Sequence, residues 1–116
     1  MTELVTLLST GKGTWAEVAR LIKAQPWERT FIITSDFGKN FTAENAECIV
    51  VDTNKDMPEL RDEIQQKLNG KIKGLEIGLH ITSGSGKEHM ALVAALLKLG
   101  IGFRLVTVTE NGFTEL

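Results

Sequence analysis

The sequence predicts an alternating α/β fold built on a mainly parallel sheet with both faces covered. Three observations lead there. Short apolar runs alternate with segments of helical period along most of the chain. The apolar runs are continuous, the pattern of strands buried on both faces. The breaks between them hold Gly, Pro, Ser, Thr, Asn and Asp, the residues that turn a chain. With 116 residues and 42% apolar content, the chain has the size and composition of one domain, residues 1–116.

Each element has its own justification. Glu3–Leu8 is the first apolar run and reads as a strand. Thr14–Gln25 places Trp15, Val18, Ala19 and Ile22 on one helical face, and Pro26 stops it. Thr30–Ser35 contains Phe31, Ile32 and Ile33 in an unbroken run, a buried second strand. Cys48–Asp52 is the third. Met57–Asn69 sets Leu60, Ile64 and Leu68 on one face before Gly70. Leu75–Thr82 is the fourth strand, Lys87–Leu99 the third helix, and Gly102–Thr109 the fifth strand. Asn111-Gly112 then predicts a tight turn into a short strand, Phe113–Leu116. Capping-box spacing at Thr14/Glu17, Asp56/Glu59 and Ser85/Glu88 marks the helix starts. Right-handed crossovers give a Rossmann-like three-layer layout of order 3-2-1-4-5, with the last hairpin as an antiparallel edge. The first and fourth strands then meet where the order reverses.

Composition excludes several classes. A net charge of −2 argues against a protein coated for long nucleic acid, but leaves room for a local anion pocket. No apolar run reaches the length of a membrane span. Met1-Thr2-Glu3 does not read as a leader. One cysteine, Cys48, rules out an internal disulfide framework and reads as a buried small hydrophobe. His80 and His89 stand at no standard zinc spacing, so neither metal nor cofactor is expected. The expectation is a soluble cytoplasmic domain.

Ligands of such sheets bind beyond the carboxyl ends of the strands. Four loops lie there: Ser9-Thr10-Gly11-Lys12-Gly13-Thr14, Thr34-Ser35-Asp36-Phe37-Gly38-Lys39-Asn40, Asp52-Thr53-Asn54-Lys55-Asp56 and Thr82-Ser83-Gly84-Ser85-Gly86-Lys87-Glu88-His89. Each combines small hydroxyl or amide residues with one lysine, a set that suits anions. Lys55, between Asp52 and Asp56, reads as an ordinary loop lysine rather than a ligand contact. Lys87 is different, because a lysine in a helix's first turn opposes the dipole and an anionic ligand would justify it. His89 either points at this loop or is solvated, and His80 reads as a core or interface residue. Trp15 and Trp27 read as packing residues. Phe37 and Phe41 either stack a base or pack under their loop.

Named phosphate motifs fit poorly. Gly86-Lys87 lacks the upstream glycine and the following Ser/Thr of a P-loop. Gly11-Lys12-Gly13-Thr14-Trp15-Ala16, with Asp36 after the second strand, fits a loose dinucleotide fingerprint. A nucleotide or dinucleotide sensor is therefore one alternative. The helix after Lys87, running Met90 through Leu99, has almost no polar face. A helix apolar all round is covered on more than one side, which predicts a two-fold homodimer or, as another alternative, a protein-interaction module.

The stretch His80-Ile81-Thr82-Ser83-Gly84-Ser85-Gly86-Lys87-Glu88-His89-Met90-Ala91 resembles the signature of the CRISPR-associated Rossmann fold (CARF) domains. The Ser9-Thr10-Gly11 loop and the hairpin at Asn111-Gly112 are similar to that family too. The resemblance implies a dimer that binds a cyclic oligoadenylate, the second messenger of type III CRISPR antiviral defence, across its interface. It implies that Lys87 contacts phosphates, that Ser83, Gly84, Ser85 and Gly86 line the pocket, and that Ser9, Thr10 and Gly11 form the other wall, with Lys12, Lys39 and His89 nearby. Some relatives are ring nucleases, in which a ribose 2′-hydroxyl attacks the adjacent phosphate without metal, helped by a Lys and a Ser, here Lys87 and Ser9. The spread Gly-Ser-Gly departs from the family's paired glycines. With no further domain after Leu116, a sensor or ring nuclease is expected over a regulated effector.

Overall fold

The computed structural model describes residues 2–10 and 13–116. The elements follow as β1 (Glu3–Leu8), α1 (Thr14–Ala24), β2 (Thr30–Thr34), a 3₁₀ turn (Asp36–Gly38), β3 (Ala46–Val50), α2 (Met57–Leu68), β4 (Glu76–His80), α3 (Gly86–Lys98), β5 (Gly102–Thr109) and β6 (Gly112–Glu115). They form one sheet of order β3-β2-β1-β4-β5-β6. All neighbours are parallel except the β5–β6 hairpin. This is the predicted layout, and β1 and β4 meet at the reversal with Thr6 opposite His80.

β1 is buried along its whole length because it lies mid-sheet under helices on both faces. Val5 and Leu7 face the core made by α2 and α3, while Leu4 and Leu8 face the core under α1. Pleating alternates the side chains of one strand between these cores. Trp27 closes the α1 side. Its Nε1 donates to the Leu21 carbonyl at 3.1 Å, and its ring meets Phe113 edge-on at 5.9 Å. It passes so close over β4 that a Cβ on Gly78 would sit 2.9 Å from it, so that strand position has to be glycine. Glu3 is buried, and its carboxylate accepts the amides of Lys73, at 3.0 Å, and Gly74, at 2.8 Å, tying the start of β1 to the α2–β4 connection.

Several expectations need correction. Thr14 is not a cap: Gly13, at φ +80°, stands at the N-cap of α1 without a side-chain bond, and Thr14 is the first helical residue. β3 runs Ala46–Val50 rather than 48–52, because pairing with β2 starts at Thr30 opposite Ala46. Cys48 lies half-buried on this edge strand, its Sγ 3.3 Å from the Phe41 carbonyl, and burial pushes its thiol pKa up. The Asp36–Gly38 turn was not foreseen. On α3, one side is buried through Ala91, Leu92, Ala95 and Leu96, while Met90 and Leu97 are 61% and 65% exposed. The chain's own core therefore covers only one side of this apolar helix. Among the described residues, no helix is long and apolar enough to cross a membrane.

Candidate functional site

The loops after β1 and β4 are joined directly. Ser83 is buried, and its Oγ accepts the Ser9 amide at 2.8 Å. Trp15 Nε1, from the first turn of α1, donates to the Ser9 carbonyl at 3.2 Å. Both backbone groups of Ser9 are thus held, one by each neighbouring element. Thr10 follows in an exposed bend. Gly11 and Lys12, the remaining predicted members of this wall, lie outside the described residues.

The β4 loop is shaped for its turn into α3. Gly84 has φ +105°, a conformation that L side chains rarely adopt, and a Cβ there would crowd the Glu88 carboxylate at 3.0 Å. Ser85 and Glu88 form a complete capping box: Ser85 Oγ accepts the Glu88 amide at 3.2 Å, and Glu88 Oε1 accepts the Ser85 amide at 2.9 Å. The Gly86 and Lys87 amides, the first of the helix, have no partner within it. Lys87 is half-buried and makes no ion pair among the described residues. Here a full positive charge adds to the positive end of the α3 dipole. His89 turns back on the loop, with Nε2 3.0 Å from the Ser83 carbonyl. It braces the backbone rather than facing outward.

The other two predicted lysines behave differently. Lys39 reaches Asp36 at 3.9 Å, with both side chains exposed. Lys55 pairs at 3.2 Å with Glu63 of α2 rather than with its flanking Asp52 or Asp56, and Lys67 reaches the same carboxylate at 2.9 Å. Burial alone would raise the Glu63 pKa, but the Asp52 amide and the two lysines outweigh it and hold the group at about 2. Phe37 and Phe41 both meet Trp15 edge-on, with centroids 5.6 Å apart; Phe41 packs under the loop against the α1 core, while Phe37 stays 56% exposed. A groove between Ser35, Asp52, Thr53, Asn54, Glu63 and Lys67 continues from the β2 and β3 ends, with a volume of about 430 Å³.

One polar cluster escaped the sequence reading. His80 is 1% exposed. Its Nδ1 lies 3.1 Å from Thr6 Oγ1, and its Nε2 lies 2.9 Å from Thr82 Oγ1 and 3.6 Å from Glu17 Oε1. Burial lowers its pKa, against the pull of Glu17. The signal existed: Thr6 and His80 are the polar breaks in two apolar runs that the predicted order makes neighbours. Among the described residues, no three His, Cys, Asp or Glu side chains converge into a metal-binding group.

No family model and no curated protein matches this chain. Among solved structures, it is similar to the crystal structure of a short-chain dehydrogenases/reductase (ethylated) from Veillonella parvula DSM 2008. The TM-score is 0.51 at 14% identity, over 89% of this chain and 46% of that one. This chain therefore spans about half the length of that protein. At such identity the likeness is one of fold alone, a Rossmann-like α/β architecture.

Proposed function

We propose that this domain binds a cyclic oligoadenylate at a two-fold interface, in the manner of the CARF domains it resembles. The observation that carries the reading is the Ser9–Ser83 bond, which sets the β1 and β4 loops side by side at the topological switch point with Lys87 unpaired beside them. A ring of phosphates with two-fold symmetry suits two copies of such a corner. The outward Met90 and Leu97 of α3 offer the apolar surface on which the copies would meet.

Binding and cleavage use the same corner. In cleavage, a ribose 2′-hydroxyl attacks the adjacent phosphorus and the 5′-oxygen leaves, giving a 2′,3′-cyclic phosphate. Lys87 is placed to offset the charge that develops on the phosphoryl oxygens, and Ser9 to orient them. Ser83, Gly84, Ser85 and Gly86 shape the pocket, Thr10 lies on the opposite wall, and His89 holds the loop. Lys39 is assigned an outer position.

Incubation with cyclic tetra- and hexa-adenylate in EDTA, with quantification of bound and cleaved ring, tests this. Wild type is expected to retain or linearise one ring, and Lys87→Ala to bind it about 10- to 100-fold more weakly. Retention of intact ring marks a sensor, and linear product marks a metal-independent ring nuclease. Wild type that does neither overturns the proposal.

A second reading is a dinucleotide sensor. It is favoured by Gly13 at φ +80° opening α1 and by Asp36, whose side chain is 88% exposed just past β2, where a ribose-binding acid would stand. The dehydrogenase/reductase named above is similar in fold. NAD titration decides it: binding lost in Asp36→Ala but kept in Lys87→Ala supports this reading over the first.

A further inference from the structure

The cluster around His80 holds a titratable imidazole directly beneath the joined loops. His80 is 1% exposed, opposite Thr6 of β1. Its Nε2 lies 2.9 Å from Oγ1 of Thr82, the residue before the Ser83 that holds Ser9. The Glu17 carboxylate, in the first turn of α1, stands 3.6 Å from the same nitrogen, and its side chain is 26% exposed. The neutral imidazole therefore keeps its proton on Nε2, toward Glu17, and Thr6 donates to Nδ1 across 3.1 Å. A second proton also has a place. The Thr6 hydroxyl lies 3.3 Å from the Leu7 carbonyl, and by donating there it leaves its oxygen to accept from Nδ1–H. The same side chains thus serve both protonation states. The charged or titratable groups around the imidazole are Glu17 on α1 and, across the loop on α3, Lys87, Glu88 and His89. Glu88 is tied to the Ser85 amide and His89 to the Ser83 carbonyl, while β1 and the β4 loop meet the imidazole with Thr6 and Thr82.

Charge then decides what the pair does. Burial favours the neutral imidazole, against the pull of Glu17. In that state the Glu17 charge is unanswered beside a corner whose other features attract anions, and a proton on His80 cancels it. We propose that the Glu17–His80 pair is a proton switch on this corner: His80 takes up a proton as the ligand binds, and affinity rises as the pH falls. This rests on the cyclic-oligoadenylate reading and adds regulation to that site. The coupling is reciprocal, because phosphates that favour the charged imidazole are favoured by it to the same extent. The free imidazole takes up its proton below about pH 6.5, and the bound one at a higher pH. Affinity therefore climbs as the pH falls between those two points and is level outside them. The phosphodiesters and adenines of the ligand keep their charge over this range, so the slope belongs to the protein.

Calorimetry from pH 8 to 5.5 tests this, with cyclic tetra- or hexa-adenylate, whichever wild type retains. If wild type cuts it, the 2′-fluoro analogue, which lacks the attacking hydroxyl, takes its place. Wild type is expected to bind about fivefold more tightly at pH 5.5 than at pH 7.5, the low end of coupling between two sites. His80→Asn should match wild type at pH 7.5 and lose the rise, and His89→Gln should keep it. Glu17→Gln, which removes the opposing charge outright, should bind more tightly than wild type at pH 7.5. Proton resonances of the His80 imidazole in the unmutated protein should titrate at a higher pH with ligand than without. A flat affinity, a rise that survives His80→Asn, no gain in Glu17→Gln, or an unmoved His80 titration overturns this inference alone. Failure of wild type to bind either cyclic adenylate at any pH overturns the function reading and this inference with it.

Discussion

The carboxyl edge of the sheet has two halves that look alike in sequence and differ in charge. At the β2 and β3 ends, Lys55 and Lys67 converge on Glu63, and Lys39 reaches Asp36. Their charges are met within the chain. At the β1 and β4 ends, backbone and hydroxyl groups are tightly joined, yet Lys87 has no carboxylate partner among the described residues. Glu88, the nearest acid in sequence, is occupied by the Ser85 amide. A rigid frame around an unanswered charge is what a prepared anion site requires, whereas the neutralised half needs no ligand to explain it.

The largest effect should separate the halves by ligand. Lys87→Ala is expected to weaken binding of cyclic tetra-adenylate by about 10- to 100-fold, the range for a charge-assisted bond. Lys55→Ala should change it by less than about twofold, because that charge is already paired at the surface. Equal losses on calorimetry would erase the distinction.

Stability comes next. Ser83→Ala strands the Ser9 amide, and the expected loss in urea unfolding is about 1–3 kcal/mol, the cost of an unsatisfied group. Lys55→Ala should stay within about 0.5 kcal/mol.

The halves should also part in pH. The folded pKa of His80 lies below its unfolded value, so the unfolded chain takes up the proton first. The stability due to neutral His80 is present above about pH 6.5 and is lost as pH falls below it. Glu63 is a depressed acid, whose contribution is present above its unfolded pKa and is lost as pH falls toward about 2. Urea titrations from pH 8 to 3 should therefore show the β1/β4 half weakening first. His80→Asn should remove the upper step and leave the lower one.

The smallest difference concerns the caps. Ser85→Ala breaks a reciprocal box and should cost about 1 kcal/mol. Thr14→Ser, one residue inside α1, should cost a few tenths of a kcal/mol or less, as exchanges between similar residues near a helix start do. Thermal melts resolve the two.

The pattern of strands and helices was legible because continuous apolar runs such as Phe31-Ile32-Ile33 can be satisfied only in a covered sheet, and crossover handedness then leaves few orders. The Ser85/Glu88 box was legible because its partners are three residues apart. Thr14 misled because its spacing to Glu17 imitates the same box, while a glycine in the left-handed region already starts the helix. The Ser9–Ser83 bond joins residues 74 apart, and so does the Thr6–His80 contact. No local pattern encodes such pairs. They become readable only once strand order and register are combined, and the Glu17 contact also needs the position of α1.

The placement of β1 has a consequence for how the chain is made. It leaves the ribosome before both of its partners, yet it needs one on each edge. β2 follows soon, but β4, whose Ile77 pairs with Glu3, arrives after some seventy more residues. The buried Glu3 carboxylate waits equally long for the amides of Lys73 and Gly74. Until then the nascent half-sheet presents a bare apolar edge, the surface that invites a neighbouring chain to pair. Formation of the native sheet is tied to late, distant contacts, the feature that slows folding. The strand at the heart of the finished molecule is thus its most vulnerable segment during synthesis.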